Sequence, residues 1–318
     1  MGFLMSRCSL GLRICLAILI LSLVASAESS ALILSGVPGE PELGLKYFKW
    51  ADETRKVLVA RHGFSENRVL LLSDKNTAKA EIEKAFDQLK QQLKPADTFF
   101  LFLIGHGSYD KEYKFNIFGP DLTGSDYNKL LSTLNVARIV VVNSTSASGG
   151  SIEALAGKNR VIITATKSGG EGNETLFYDH FLAALQKPES DEDKDRKVST
   201  WEAFKYAAAG VERFYKEEGR LATEHSQISV NGAPPTAANV QDIPVMARVT
   251  SFQVDRPVVV ADARLQALLD QRKEIEQKIE TLRINKSSIA EADYEKALEE
   301  LSLELARKNQ QIRELEKK

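Results

Sequence analysis

The sequence predicts an α/β protein: a mainly parallel sheet flanked by helices, followed by an antiparallel helical hairpin. Three observations carry that prediction. Short, unbroken apolar runs recur between residues 31 and 164, as in strands buried on both faces. Helix-spaced segments separate the first three runs, which is how parallel strands are joined. Residues 259–318 then change character, becoming charged with apolar positions at alternating four and three spacing.

The strand-like runs are 31–34, 68–72, 99–104, 139–142 and 161–164. Leu45, Phe48 and Leu58 mark one helix, which Gly63 stops. Ile82, Ala85, Phe86, Leu89 and Leu93 mark the next, which ends before Pro95. The polar, Gly-rich stretch 108–124 predicts a small hairpin. Residues 174–186 are helical, and Trp201, Phe204, Ala208, Val211 and Tyr215 mark a further helix. Residues 224–232 read as a loop or short strand and 245–252 as an edge strand, which completes an α/β domain over 28–258. In the hairpin, Leu265, Leu268, Ile275, Ile279 and Leu282 face Tyr294, Leu298, Leu301, Leu305, Ile312 and Leu315. Arg272 and Lys308 interrupt that coiled-coil seam. The hairpin either pairs with itself or serves a homodimer or a partner protein.

The first 27 residues have the form of a secretory leader. Arg7 and Arg13 give a basic start, 14–24 an apolar stretch, and Ala25-Ser26-Ala27 a small-x-small cleavage site. The stretch is short for a membrane span, with an uncleaved anchor as the alternative. Both cysteines, Cys8 and Cys15, lie in the leader. The exported product therefore has neither thiol nor disulfide and relies on its core. The formal net charge of −2 becomes −4 when Arg7 and Arg13 leave with no accompanying acid. No basic stripe suggests nucleic acid. A secreted or periplasmic protein is expected, with no stable membrane span after leader cleavage.

Two strands run into residues that carry chemistry. Thr98-Phe-Phe-Leu-Phe-Leu-Ile104 leads into Gly105-His106-Gly107-Ser108, and Ile139-Val-Val-Val142 into Asn143-Ser-Thr-Ser-Ala-Ser-Gly-Gly150. A histidine and a small hydroxyl residue past two strand ends is the layout of a His-assisted hydrolase. The glycines flanking His106 permit close backbone approach to a ligand. The order resembles the caspase-like clan, and within it the legumain-type peptidases. Those have apolar strand–His–Gly, then apolar strand–two residues–Cys–x–Ser–Gly. The resemblance covers about residues 30–215, and aligning Ser148-Gly149 on that Ser-Gly puts Ser146 at the nucleophilic cysteine. It implies a caspase-like fold, with His106 as general acid or base. It further implies an oxyanion hole built from the Gly107 amide and the amide of residue 146. Residues 161–168 would border the substrate, making Thr164, Thr166 and Lys167 candidate pocket residues. Ser144 stands where legumains carry an acidic pocket residue.

A serine in that place needs a base held in the right tautomer, usually by an acid. Asp110 is the one candidate nearby. Three readings stay open. The preferred one is a peptidase homologue without cysteine-peptidase activity, binding a peptide or protein ligand or acting as a scaffold. The second is a serine-using hydrolase with a Ser146–His106 dyad. In the third, Ser146 or Ser148 merely caps a helix at 152–155.

A second candidate site lies at 191–202. Asp191, Asp193, Asp195, the Lys197 carbonyl, Ser199 and Glu202 occupy places one, three, five, seven, nine and twelve of an EF-hand-like calcium loop, with Val198 as its apolar eighth residue. Arg196 stands where that loop has glycine, at a turn that disfavours a side chain by roughly 1 kcal/mol. The expectation is weak Ca²⁺ binding, against the alternative of a charged linker.

Overall fold

Each of the five apolar runs forms a strand. The computed structural model describes residues 27–239, 244–254 and 262–316. The leader expectation, including Cys8 and Cys15, falls outside them except for Ala27. In chain order the elements are β1 (Ser29–Ser35), α1 (Pro41–Ala60), β2 (Val69–Ser73), α2 (Lys79–Gln92), β3 (Thr98–Ile104), β4 (Gly107–Asp110), β5 (Glu112–Phe115), β6 (Leu122–Thr123) and α3 (Gly124–Ser132). There follow β7 (Arg138–Asn143), α4 (Ile152–Leu155), β8 (Arg160–Thr164), α5 (Phe177–Gln186), α6 (Thr200–Glu217), β9 (Gln227–Val230), α7 (Val245–Val249), α8 (Ala263–Ile284) and α9 (Glu291–Glu316).

The main sheet runs β2-β1-β3-β7-β8-β9, and only β9 is antiparallel to its neighbour. Alternate side chains point to opposite faces. Ile33, Phe100, Phe102, Val140 and Ile163 pack beneath α1, α5 and α6, whereas Leu32, Phe99, Leu101, Val141 and Ile162 pack against α2 and α3. Burial on both faces is why these strands are apolar throughout. β4, β5 and β6 form a small antiparallel sheet directly after His106, in the stretch expected to be a hairpin.

One expectation holds in part and another fails. α1 forms and buries Leu58, but Leu45 is 76% and Phe48 48% exposed, and the rest of the core face is Tyr47, Trp50, Ala51, Thr54 and Val57. Partners on α5 select that stripe: Trp50 Nε1 donates to Asp179 at 2.7 Å, and the Thr54 and Tyr178 hydroxyls are 2.7 Å apart. Residues 245–252 do not form an edge strand. They begin with α7, whose Met246 and Ala247 are buried, and the edge position is held by β9.

α8 and α9 pack against each other, and a turn of a few residues makes them antiparallel. Ile275, Ile279 and Ile312 are buried, and Arg138 at the start of β7 pairs with Glu280 of α8. Between α8, the loop after α5 and the N-terminal edge of the sheet lies a 480 Å³ cavity lined by Thr98, Arg138, Asp195, Arg248, Lys273 and Glu280, among others. No helix among the described residues is long and apolar enough to cross a membrane.

Candidate functional site

β3 and β7 are adjacent and parallel, so their C-terminal ends bring His106 and Ser146 to one edge of the sheet. Gly105 makes the exit from β3 possible: its φ is +150°, and a Cβ there would lie 3.2 Å from the Gly36 Cα. The His106 ring meets Tyr47 of α1 edge-on, with Nε2 3.2 Å from the tyrosine hydroxyl. Burial, reinforced by nearby Glu174, holds that hydroxyl well above its ordinary pKa. Glu174 is in turn 3.0 Å from the Lys46 ammonium. The group that orients His106 is thus Tyr47, whereas Asp110 is exposed on β4.

Ser146 is 3% exposed. Its hydroxyl donates to the Gly107 carbonyl at 2.8 Å and accepts from the Gly107 amide at 3.2 Å. This geometry bears on two sequence expectations. The described bonds do not join Ser146 to His106, because the hydroxyl is held by backbone on both sides. The Gly107 amide, expected in an oxyanion hole, already donates to that same hydroxyl. The helix-cap reading fails as well, since α4 has no side-chain cap and Ser148 instead accepts from the Thr166 amide at 3.1 Å.

The residues around Ser146 are bonded among themselves. Tyr113, fully buried, has its hydroxyl 2.7 Å from Thr145 Oγ1 and 3.2 Å from Asn143 Oδ1. Ser144 donates to the Leu103 carbonyl (2.9 Å) and accepts, through its own carbonyl, from Thr175 (2.6 Å). Thr164 donates to the Thr166 carbonyl at 2.8 Å, and Thr166 Oγ1 accepts from the Gly149 amide at 2.8 Å. Of the expected pocket residues, Ser144, Thr164 and Thr166 are buried, and Lys167 alone is exposed. Its ammonium lies 3.6 Å from Glu171. Gly149 is required by close approach: a Cβ would sit 2.2 Å from the backbone of Lys167 and Ser168.

The loop after β8 carries residues that sequence reasoning missed. Glu171 accepts from the Lys167 amide (2.9 Å) and lies 2.5 Å from His225 Nδ1, and its carbonyl accepts from the Ala147 amide (2.7 Å). Glu224, 3% exposed, accepts from the amides of Leu176 (2.9 Å) and Phe177 (3.2 Å) at the start of α5. Burial pushes its carboxyl up to about 7. No local pattern announces Glu224 or the Glu171–His225 pair, because those partners are 47 to 54 positions away. Tyr47 shares a helical stripe with Trp50, Thr54 and Leu58, but the stripe through Leu45 and Phe48 competes with it in the sequence.

At the acidic loop, Asp191, Asp193 and Asp195 each place one carboxylate oxygen within 4.8 Å of the others. Arg196 takes the left-handed turn expected of a glycine there, at φ +70°, and its amide donates to Asp191 Oδ2 at 2.9 Å. Asp191 Oδ1 is buried without a hydrogen-bond partner. Burial, with Asp193 and Glu202 nearby, pushes the Asp195 carboxyl up to about 6. Glu202 departs from expectation. Oε2 accepts from the Ser199 amide (2.8 Å) and hydroxyl (2.7 Å), and Oε1 from the amides of Glu192 (2.9 Å) and Asp193 (3.3 Å). A carboxylate has about four acceptor positions, so Glu202 and Ser199 serve as the capping box of α6.

No protein-family model and no curated protein matches the chain. Among solved structures, protein GSU0716 from Geobacter sulfurreducens is similar over 72% of this chain and 100% of that chain, at 16% identity and a TM-score of 0.47. That likeness is too low to carry a conclusion.

Proposed function

We propose that this chain is an exported peptidase homologue of legumain type on a caspase-like frame, and that it binds a peptide or protein ligand without cleaving it. One observation carries the reading: the Ser146 hydroxyl is bonded to the amide and carbonyl of Gly107, and the described bonds of the His106 ring go to Tyr47. A nucleophile needs its base within hydrogen-bond reach and a free donor pair for the oxyanion. No described bond joins Ser146 to His106 and the Gly107 amide is already engaged, which favours binding over a Ser146–His106 hydrolase. The leader reading of residues 1–27 supports export to a periplasmic or extracellular space.

A fluorophosphonate probe tests the central claim. No labelling of Ser146 is expected, and labelling that disappears in both Ser146→Ala and His106→Ala would overturn it. Replacement Ser146→Cys tests the resemblance: asparaginyl or aspartyl cleavage appearing in that variant would show that the peptidase frame is intact. Export is checked by fusing residues 1–27 to a reporter active only outside the cytoplasm.

The acidic loop supports a second function, weak Ca²⁺ binding by Asp191, Asp193 and Asp195 with the Lys197 carbonyl. The specific support is the buried, unpartnered Asp191 oxygen beside two further carboxylates. Hard oxygen donors of this kind suit calcium. Calorimetry at millimolar calcium should show heat that Asp193→Asn abolishes. Equal heats from the two chains would leave the loop as a charged linker.

A further inference from the structure

β1 begins on a charge cluster at the opposite edge of the sheet from Ser146. Asp97 is completely buried. Its Oδ1 accepts from the Glu28 backbone nitrogen at 2.9 Å, and Oδ2 from the Lys94 amide at 3.0 Å and the Arg68 guanidinium at 3.1 Å. Arg68 also pairs with the Glu28 carboxylate. The Glu28 carbonyl accepts from the Thr98 amide at 3.0 Å, so this residue already sits in register ahead of β1. One guanidinium therefore faces two carboxylates, and a neutral peptide N–H fills the remaining place. That N–H belongs to the Ala27–Glu28 bond, where the leader pattern ends.

We propose that hydrolysis of the Ala27–Glu28 bond completes this cluster, because the α-ammonium it creates on Glu28 forms in contact with buried Asp97 and locks the base of the sheet. A leader peptidase supplies the catalysis and water the atoms. The C–N bond breaks, hydroxide adds to the Ala27 carbonyl carbon, and the Glu28 nitrogen takes the protons, leaving a carboxylate and an ammonium. Two cations, Arg68 and the new terminus, then balance two carboxylates, Asp97 and Glu28. While the peptide is intact only the acceptor of this bond is charged; after the cut both partners are, which adds an ion pair to the hydrogen bond. The inference rests on the leader reading for the cut itself.

Two chains test it: one released from a cleavable fusion so that it begins at Glu28, and one that retains Ala25-Ser26-Ala27 ahead of Glu28. At pH 6.5 the chain beginning at Glu28 should melt higher by about 3 °C. An opposite charge raises an amine, so this gain is complete below the ordinary α-amino value of about 8. It is lost as pH rises through the higher folded value, and the two melting curves should then converge. Asp97→Asn should remove the gap at every pH. Should that variant fail to fold, the pH dependence of the gap between the two native-sequence chains decides. Equal melting temperatures at pH 6.5 would overturn the lock. The mass of the exported protein separately tests the leader reading, since a product that begins elsewhere removes the natural cut but leaves the paired-chain result standing.

Discussion

The edge of the sheet around Ser146 and the acidic loop at 191–202 both gather residues that carry chemistry, yet they spend their bonding capacity in opposite ways. Around Ser146 the hydroxyls of Ser146, Tyr113, Thr145 and Thr166 all have partners within the protein. In the acidic loop three carboxylates converge, and one buried oxygen of Asp191 has no partner. The difference teaches that residue type and spacing mark where chemistry is possible, while unspent donors and acceptors mark where it is still available. By that measure the edge that resembles an enzyme is closed, and the loop that resembles a linker is open.

Four substitutions would break or sharpen this contrast. Gly149→Ala should cost about 3 kcal/mol in denaturant unfolding, because its Cβ meets backbone that cannot swing aside. A loss well under 1 kcal/mol would mean that the edge around Ser146 is not closed by packing. Glu202→Gln should cost about 2 kcal/mol whether or not calcium is present, since four donors lose a charged acceptor. If this variant instead kept its stability and lost its calcium heat, Glu202 would be a ligand rather than a cap. Ser146→Ala should cost about 1 kcal/mol by leaving both polar groups of Gly107 unpaired. A neutral result would indicate that water replaces the hydroxyl and that the amide is accessible. Arg196→Gly should stabilise by less than about 1 kcal/mol through relief of the left-handed turn. It should also raise calcium affinity, and a titration showing no change would detach the turn from the carboxylates.

The strands were legible because burial on both faces leaves continuous apolar runs of strand length, separated by helix-spaced segments. The face of α1 was not legible. Leu45 and Phe48 sit at helical spacing as plausibly as Tyr47 and Trp50, and only Asp179 and Tyr178 on a later helix decide between them. Residues 245–252 misled because a short apolar run with β-branched residues fits a strand or a helix equally well by period. At the candidate site, the approach of His106 and Ser146 was legible from parallel strands that end together. The capture of Ser146 by Gly107 was not, since it depends on the register of β3 against β7 and the local path of each chain beyond it.

The cavity under α8 has a consequence for solvation. Ala27, Asp193, Asp195 and Lys273 all border it, so the segment just before β1, the acidic loop and the hairpin face one common volume. Polar chambers of this size hold water, and wall charges other than the Arg138–Glu280 pair are coupled through that water and its counterions. Ionic strength is then a single handle on three parts of the chain that are far apart in sequence. Exposed pairs such as Lys205–Glu192 should weaken independently as salt rises, whereas the walls of this chamber should respond together.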